Sequence, residues 1–393
     1  MARRSGSAWA LGALVLLRAP SLRSDPLRMR ADALAEARSP AGLVVLEGQA
    51  REVPWFDAEA LVWTGATHPD RVTGDVLVLA LRLREPHGFA EVRGGRFVFT
   101  TGAIRPTAID GVSAIGRMPW GLTVEAVGGA PVIPRFGTSV YDWMAGGRVA
   151  QHVGSRFTLG ASYVREHAPE GLTNEEVGAD MALVPLTWLD LAGRGAYDLS
   201  SPGIADAHGS AAARLGLVRV ELFGTHRSPS RLLPATSLFS VLGDFPSDIL
   251  GTTVRWDAAP RLDVLATAAG QDRGGDFGGY GSLRATLRLD DDANGTFALE
   301  GRRQDVADIH WTGIRAIAAE RMSLHFRAST ELEVAWADDP RGRGAAWPWG
   351  LVSLGWRSGS GWEAAAGMEA GSTPLRRFEL DGLLRLSRTL EVP

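Results

Sequence analysis

The stretch from Leu324 to Trp336 reads LHFRASTELEVAW, and it decides the fold class. Apolar and polar residues alternate along it, so that one side is apolar while the other carries Arg327, Glu331 and Glu333. Alternation with a period of two predicts a β-strand with two different faces. The pattern persists for about ten residues, and strands of about nine to eleven residues are long enough to cross a bilayer.

The same alternation recurs along the chain, for example over 217–226, 282–289 and 377–386. About fifteen strands are predicted from Trp143 to the C-terminus, and an even total of about 18 to 22 is expected for a bacterial barrel. The earlier strands are predicted over Leu27–Ala37, Gly42–Arg51, Phe56–Thr64, Val72–Leu83, Phe89–Thr101 and Gly121–Gly128.

The links between these strands alternate between tight turns and longer segments. The longer ones include Glu166–Leu172, Arg227–Ser247, Gln271–Gly278, Gln304–Asp308 and Ala337–Ala345. Turns at one end and loops at the other are typical of an up-and-down barrel in an outer membrane. Because an open sheet edge in hydrocarbon leaves backbone groups unpaired, the sheet must close. The sequence therefore predicts an all-β chain that forms a closed, antiparallel, up-and-down transmembrane β-barrel; a soluble secreted β-protein is the alternative.

Residues 1–21 are predicted to be a cleaved signal peptide. Arg3 and Arg4 precede an apolar run from Ala8 to Leu17, and Ala19-Pro20-Ser21 fits a small-x-small cleavage site. The apolar run is too short for a membrane-spanning helix, which needs about 20 residues. Residues 22–393 are then expected to form a single barrel domain in the outer membrane of a Gram-negative bacterium.

Composition narrows the possible functions. The formal net charge is -4, whereas general nucleic-acid binders carry a basic excess, so no nucleic-acid partner is expected. The chain has no cysteine, which excludes disulfides and thiolate metal sites. Its eight histidines are scattered without the spacing of a metal site. We therefore expect no cofactor, no metal and no catalytic residue.

Tryptophans stand close to many predicted strand ends. An indole prefers the interface between lipid and water, with its ring in the apolar edge and its N–H hydrated. The residues expected at the membrane interface on this ground are Trp188, Trp256, Trp311, Trp336 and Trp362.

Residues 93–111 read RGGRFVFTTGAIRPTAIDG. We interpret them as a strand carrying Gly95-Arg96-Phe97, followed by Gly102, Arg105 and Asp110-Gly111, and then by a return strand at Leu122–Val127. This arrangement resembles alginate-export-type porins, and the resemblance implies that 91–142 forms a pore-lining strand-loop-strand with Arg96, Arg105 and Asp110 facing the lumen. The alternative is a strand, a proline turn and a second strand with surface charges.

The polar faces of the other strands carry both signs of charge in similar number. Charged rings of this kind influence permeation in channels, but mixed signs do not indicate cation or anion selectivity. Further pore-lining candidates are Arg219, Glu221, Arg255, Arg284, Arg302, Arg327 and Glu331.

These features favour an outer-membrane channel or porin that passes small solutes or exports polysaccharide, surrounded by outer-membrane lipids. The apolar segment 227–247 is expected to fold into the barrel or to meet a partner. A first alternative is therefore a non-conducting barrel that sheathes or anchors a periplasmic secretion or electron-transfer partner. A second is a lipid hydrolase at His226 and Ser228, although Pro229 follows the serine and no asparagine is near to orient the histidine.

Overall fold

The computed structural model describes residues 27–36, 41–53, 55–68, 71–132, 142–169, 171–228, 247–292, 294–306, 309–339, 346–372 and 378–392. The predicted signal peptide lies outside these residues, as does most of the segment 227–247. No helix among the described residues is long and apolar enough to span a bilayer.

The described residues form a single sheet of 22 strands. The strands are β1 (Leu27–Glu36), β2 (Ala41–Val53), β3 (Phe56–His68), β4 (Arg71–Arg84), β5 (Ala90–Thr101), β6 (Ile104–Arg117), β7 (Leu122–Pro131), β8 (Trp143–Val153), β9 (Phe157–Ala168), β10 (Gly171–Leu186), β11 (Leu189–Asp198), β12 (Gly203–Leu215), β13 (Val218–Arg227), β14 (Ser247–Ala259), β15 (Leu262–Arg273), β16 (Asp276–Arg288), β17 (Gly295–Val306), β18 (Ile309–Glu320), β19 (Phe326–Ala337), β20 (Ala346–Arg357), β21 (Trp362–Gly371) and β22 (Glu379–Val392).

Every strand pairs antiparallel with its neighbour in sequence, and β1 pairs with β22 over ten residue pairs from Leu27↔Val392 to Glu36↔Leu383. The seam between these two strands is reinforced on the inner face, where Arg385 Nη2 lies 2.7 Å from Asp32 Oδ1 and Ser387 donates a hydrogen bond to the same carboxylate. No sheet edge remains open along this seam, so the backbone can pair throughout. The predicted closed, up-and-down barrel with an even number of strands is confirmed.

The two faces of the wall differ as the alternation predicts. The outer face carries large apolar side chains with no protein partner above them, such as Leu222 (57% exposed), Ile314 (50%) and Leu332 (58%). The inner face carries most of the charged strand residues, and many of them pair across neighbouring strands; Arg288 Nη2, for example, lies 2.7 Å from Asp263 Oδ2. Apolar-out and polar-in is the arrangement of a barrel in lipid with a hydrated interior.

The longest connections all join an odd-numbered strand to the next even-numbered strand, so they share one end of the barrel. They cover residues 132–142, 228–246, 338–345 and 372–378. Three predicted loops, Glu166–Leu172, Gln271–Gly278 and Gln304–Asp308, are instead largely strand in their described residues. The pairing of β15 with β16 continues to Arg273↔Asp276, so that only the two glycines at 274 and 275 form the turn.

No strand was predicted over the residues of β6, and the proline turn of the alternative interpretation is wrong. The chain reverses at Gly102 (φ +53°) and Ala103, and Pro106 lies within β6. A register shift in the pairing of β5 with β6 leaves this proline out of the ladder, so its missing N–H costs no strand hydrogen bond. The strand at Leu122 is therefore the third strand of this region and not the return strand.

Candidate functional site

The hairpin formed by β5 and β6 leaves the barrel wall and enters the lumen. Pairing of β5 with β4 stops at Leu79↔Arg96, and pairing of β6 with β7 stops at Ile109↔Pro131. Beyond these points the two strands continue to pair with each other, as far as Thr101↔Ile104. We call residues 97–108 the lumen hairpin.

Glycines allow the bend where the lumen hairpin leaves the wall. Gly95 has φ +121°, and a side chain there would clash with the Leu79 carbonyl oxygen. A side chain at Gly111 would clash with the Gly128 carbonyl oxygen, and one at Gly129 would stand 2.5 Å from the carbonyl oxygen of Asp110. The backbones of β4 to β7 therefore approach each other more closely here than residues with a Cβ atom would permit.

Arg96 holds the bend together. Its Nε donates to Asp110 Oδ1 at 2.7 Å across the hairpin, and its Nη1 donates to the Val76 carbonyl at 3.0 Å and to Asp75 Oδ1 at 3.2 Å. Val76 and Asp75 belong to the part of β4 that β5 no longer accompanies. The guanidinium thus replaces strand pairing at the point where the wall loses it, since a buried carbonyl without a partner is costly.

A hydrophobic core fixes the lumen hairpin against the inner wall. Phe97 is 1% exposed and Ile109 0%. They pack, together with Phe99, in one cluster with four inner-face residues of the neighbouring wall, which are Ala80, Val127, Met144 and Val164. An apolar cluster inside a polar lumen is stable only when it is covered from water, and the hairpin and the wall cover each other here.

The tip of the lumen hairpin reaches the inner face of β10. The Cβ atom of Ala103 stands 2.7 Å from the position that a Cβ at Gly178 would take. Arg105 Nη2 lies 3.1 Å from Glu176 Oε1, with side chains 11% and 5% exposed. This contact is an ion pair only, since Arg105 Nη2 makes no hydrogen bond of acceptable geometry. Thr101 donates a hydrogen bond to Glu125 on β7.

Below the tip, Arg148 on β8 joins the carboxylates that face the hairpin. Its Nη1 donates to Glu125 Oε1 at 3.0 Å, and its Nη2 donates to Asp180 Oδ2 at 2.6 Å. A side chain at Gly102 would collide with Asp180 and Arg148, so the turn rests directly on this ion pair. The hairpin therefore closes over a charged patch of the wall formed by Glu125, Arg148, Glu176 and Asp180.

The expected pore-lining residues fall into two groups. Arg96 and Asp110 lie at the bend, on the opposite side of the hairpin from Phe97 and Ile109, and Arg105 is held at the tip. The others lie on the inner face of the wall according to the register of their strands; they are Arg219, Glu221, Arg255, Arg284, Arg302, Arg327 and Glu331. Among the residues of this second group, Arg302 pairs with Glu333, while Arg315 pairs with Glu331.

The tryptophans expected at the membrane interface also fall into two groups. Trp256 (47% exposed), Trp336 (40%) and Trp362 lie on the outer face near strand ends, and Trp188 (45%) lies in the turn before β11. Trp311 instead lies on the inner face, opposite Gln304, where the Arg302 guanidinium stands 5.3 Å from the centre of its ring.

His226 lies on the outer face at the end of β13, where its Nδ1 is 2.5 Å from Asp248 Oδ1. Ser228 follows β13 and is 9% exposed, and its backbone N–H donates to the Ala205 carbonyl. Among the described residues, no three or more His, Asp or Glu side chains converge in a way that could hold a metal ion.

Sequence reasoning missed Glu125, Arg148, Glu176 and Asp180 as a group. They lie on three strands of the wall, and only the inward bend of the hairpin brings its tip to them. One signal was available: Phe97 and Phe99 are large apolar residues on the face that should be polar, next to the pair Gly94-Gly95.

No protein-family model matches the sequence, and no curated protein matches it. Solved structures do match by shape. The translocation pore of the P pilus usher PapC superposes with a TM-score of 0.53 at 8% identity, over 94% of this chain and 99% of that one. The copper transporter OprC superposes with a TM-score of 0.58 at 11% identity, over 95% and 82%.

The usher PapC in an E. coli P pilus tip assembly intermediate, together with PapD, PapK and PapG, gives a TM-score of 0.56 at 8% identity, over 99% of this chain and 63% of that one. At such low identity the likeness concerns the fold alone. The resemblance of residues 93–111 to alginate-export-type porins stays a prediction. The chain has the fold of the large outer-membrane β-barrels.

Proposed function

We propose that the chain is a channel of an outer membrane whose lumen is narrowed by the lumen hairpin. The observation that carries this proposal is the hairpin itself, which leaves a closed wall of 22 strands and packs inside the barrel against the neighbouring wall as far as β10. A barrel of this size needs no internal segment for its own closure. An inward segment in a wide barrel is suited to limiting what passes.

The inner wall supports a hydrated interior. Its charged side chains are paired with each other and partly exposed, as with Arg288 and Asp263 at 39% and 21%. In contact with lipid such residues would be strongly unfavourable, whereas water solvates what the ion pairs leave unsatisfied. The pore-lining residues predicted from sequence belong to this proposal, with Arg105 as the one that holds the constriction.

The outer face supports a membrane location, since it exposes large apolar residues over most of its strands and tryptophans near strand ends. The partners proposed are therefore outer-membrane lipids and solutes that cross the lumen. An export or electron-transfer partner on 227–247 stays a prediction, because most of that segment lies outside the described residues.

The test is ion conductance across planar bilayers, made with wild type and with a variant in which residues 98–108 are replaced by Asn-Gly, so that the paired residues Phe97 and Ile109 flank the new turn. Asn-Gly closes a two-residue hairpin, so β5 and β6 can remain joined. We expect conductance from wild type and a larger conductance from the shortened variant, because the constriction is removed.

The matched control is gel mobility with and without boiling, which shows that both proteins form closed barrels. If both barrels fold and neither conducts, the channel is refuted. If both conduct equally, the barrel is a channel but the lumen hairpin does not narrow it.

A further inference from the structure

Three tryptophans stand together on the inner wall, where a hydrated lumen gives an indole no hydrophobic partner. Strand register aligns Trp311 with Ala337, Trp347 with Ala335 and Trp349 with Glu333. Successive positions are thus two residues apart along β19, or about 7 Å. Together Trp311, Trp347 and Trp349 form a diagonal row on β18 and β20, which we call the tryptophan row.

Two members of the row lie over glycines. A Cβ at Gly313 would stand 2.9 Å from Cζ3 of Trp311, and a Cβ at Gly371 would stand 2.8 Å from Cδ1 of Trp349. The rings therefore rest on backbone where any side chain would push them away. All three side chains are partly exposed on the inner wall, whereas Trp256, Trp336 and Trp362 lie on the outer face.

The charges beside the row are already neutralised by partners on the wall. Arg302, which stacks on Trp311, pairs with Glu333, and Arg315 pairs with Glu331. Trp349 Nε1 donates to Glu369 Oε1 at 2.5 Å. Paired charges cancel the field that an ionic solute would follow, but their remaining donor and acceptor sites can still bind hydroxyl groups.

We infer that the tryptophan row binds uncharged saccharide chains on their way through the lumen. A pyranose ring has an apolar face of C–H groups that stacks on an indole and a rim of hydroxyls that hydrogen-bonds to carboxylates and guanidinium groups. Repeated rings need repeated platforms, and the row supplies them: Trp347 and Trp349 are about 7 Å apart along β20, and Trp311 lies two strands, or about 10 Å, to the side. This inference rests on the proposed channel and names the class of its solute.

The test is calorimetric titration of the full-length barrel in detergent with maltohexaose, and separately with an anionic hexagalacturonate. We expect maltohexaose to bind, and Trp311→Ala and Trp349→Ala each to weaken binding about tenfold, since each removes one stacking platform. Gly313→Val retains every tryptophan but displaces the Trp311 ring, and it should weaken binding as well. Trp256→Ala, on the outer face, is the matched control and should bind as wild type does.

Each variant is first checked for the mobility shift on boiling that marks a folded barrel. The inference is overturned if the folded wild type does not bind maltohexaose, if it binds hexagalacturonate more tightly, or if the Trp311 and Trp349 variants bind like wild type. Binding in detergent needs no current, so a barrel that binds maltohexaose without conducting refutes the channel and leaves the saccharide site standing.

Discussion

Reversing the charge of Arg105 should weaken the docking of the lumen hairpin, so that the hairpin opens in brief events. Arg105 and Glu176 are nearly buried, at 11% and 5% exposure, and breaking such a pair costs ~3 to 5 kcal/mol because the remaining charge loses its partner. The contact lacks an aligned hydrogen bond, so we take the lower end, about 3 kcal/mol. That energy changes the ratio of released to docked hairpins by a factor of about 10².

The apolar contacts of the hairpin oppose release. Burial of Phe97, Phe99 and Ile109 contributes about 1.5 to 3 kcal/mol for each side chain. The hairpin of Arg105→Glu should therefore remain docked for most of the time and open in brief events. Single-channel recording is the suitable assay, because it resolves rare steps to a higher conductance that an average current would hide.

We expect such steps in Arg105→Glu far more often than in wild type. The charge swap that combines Arg105→Glu with Glu176→Arg should suppress them again. Arg219→Glu is the control, since Arg219 lies on the inner wall of β13, where its Nη2 is 3.4 Å from Glu221 Oε2, and it is 42% exposed. Identical step frequencies in wild type and Arg105→Glu would refute the role assigned to this ion pair.

Two further predictions concern the bend and the core. Gly111→Val should prevent correct folding, because its side chain would clash with the Gly128 carbonyl oxygen, and the gel band that shifts on boiling should be lost. Gly116→Val is the control and should fold normally, since nothing lies within 4 Å of a Cβ at Gly116. Equal yields of folded barrel from the two variants would contradict the close approach of the backbones at Gly111. Phe97→Ala should lower the free energy of unfolding in guanidinium by about 3 to 5 kcal/mol, and a loss below about 1 kcal/mol would show that Phe97 is not buried as described.

The barrel could be predicted because the pattern that specifies each strand lies within that strand's own sequence. Lipid on one side and water on the other impose a period of two on every strand, and the pattern of Leu324 to Trp336 is one example. The same alternation identified the strands β8 to β22 from Trp143 onward. Alternation did not identify β6, because a proline such as Pro106 usually indicates a turn or the end of a strand. The register shift beside Pro106 keeps this residue out of the hydrogen-bond ladder, so the strand tolerates it.

The site was less predictable because it depends on contacts between distant strands. Alternation shows that Arg105 and Glu176 have polar surroundings, but only the bend at Gly95 and Gly111 brings them together. Trp311 illustrates the same limit. Its place near a strand end suggests the membrane interface, whereas register places it on the inner wall over Gly313.

A disulfide between the hairpin tip and the wall tests the central claim most directly. The chain has no cysteine, so Ala103→Cys with Gly178→Cys introduces the only pair. The separation of 2.7 Å means that the tip must shift by about 1 Å to reach the usual Cβ–Cβ spacing of ~3.8 Å.

We expect this pair to oxidise in folded barrels purified from membranes, detected as a change in gel mobility that a reductant reverses. The pair Ala103→Cys with Gly209→Cys, on the outer face of β12, should stay reduced. A folded barrel in which Cys pairs at 103 and 178 do not join would contradict a hairpin docked inside the lumen.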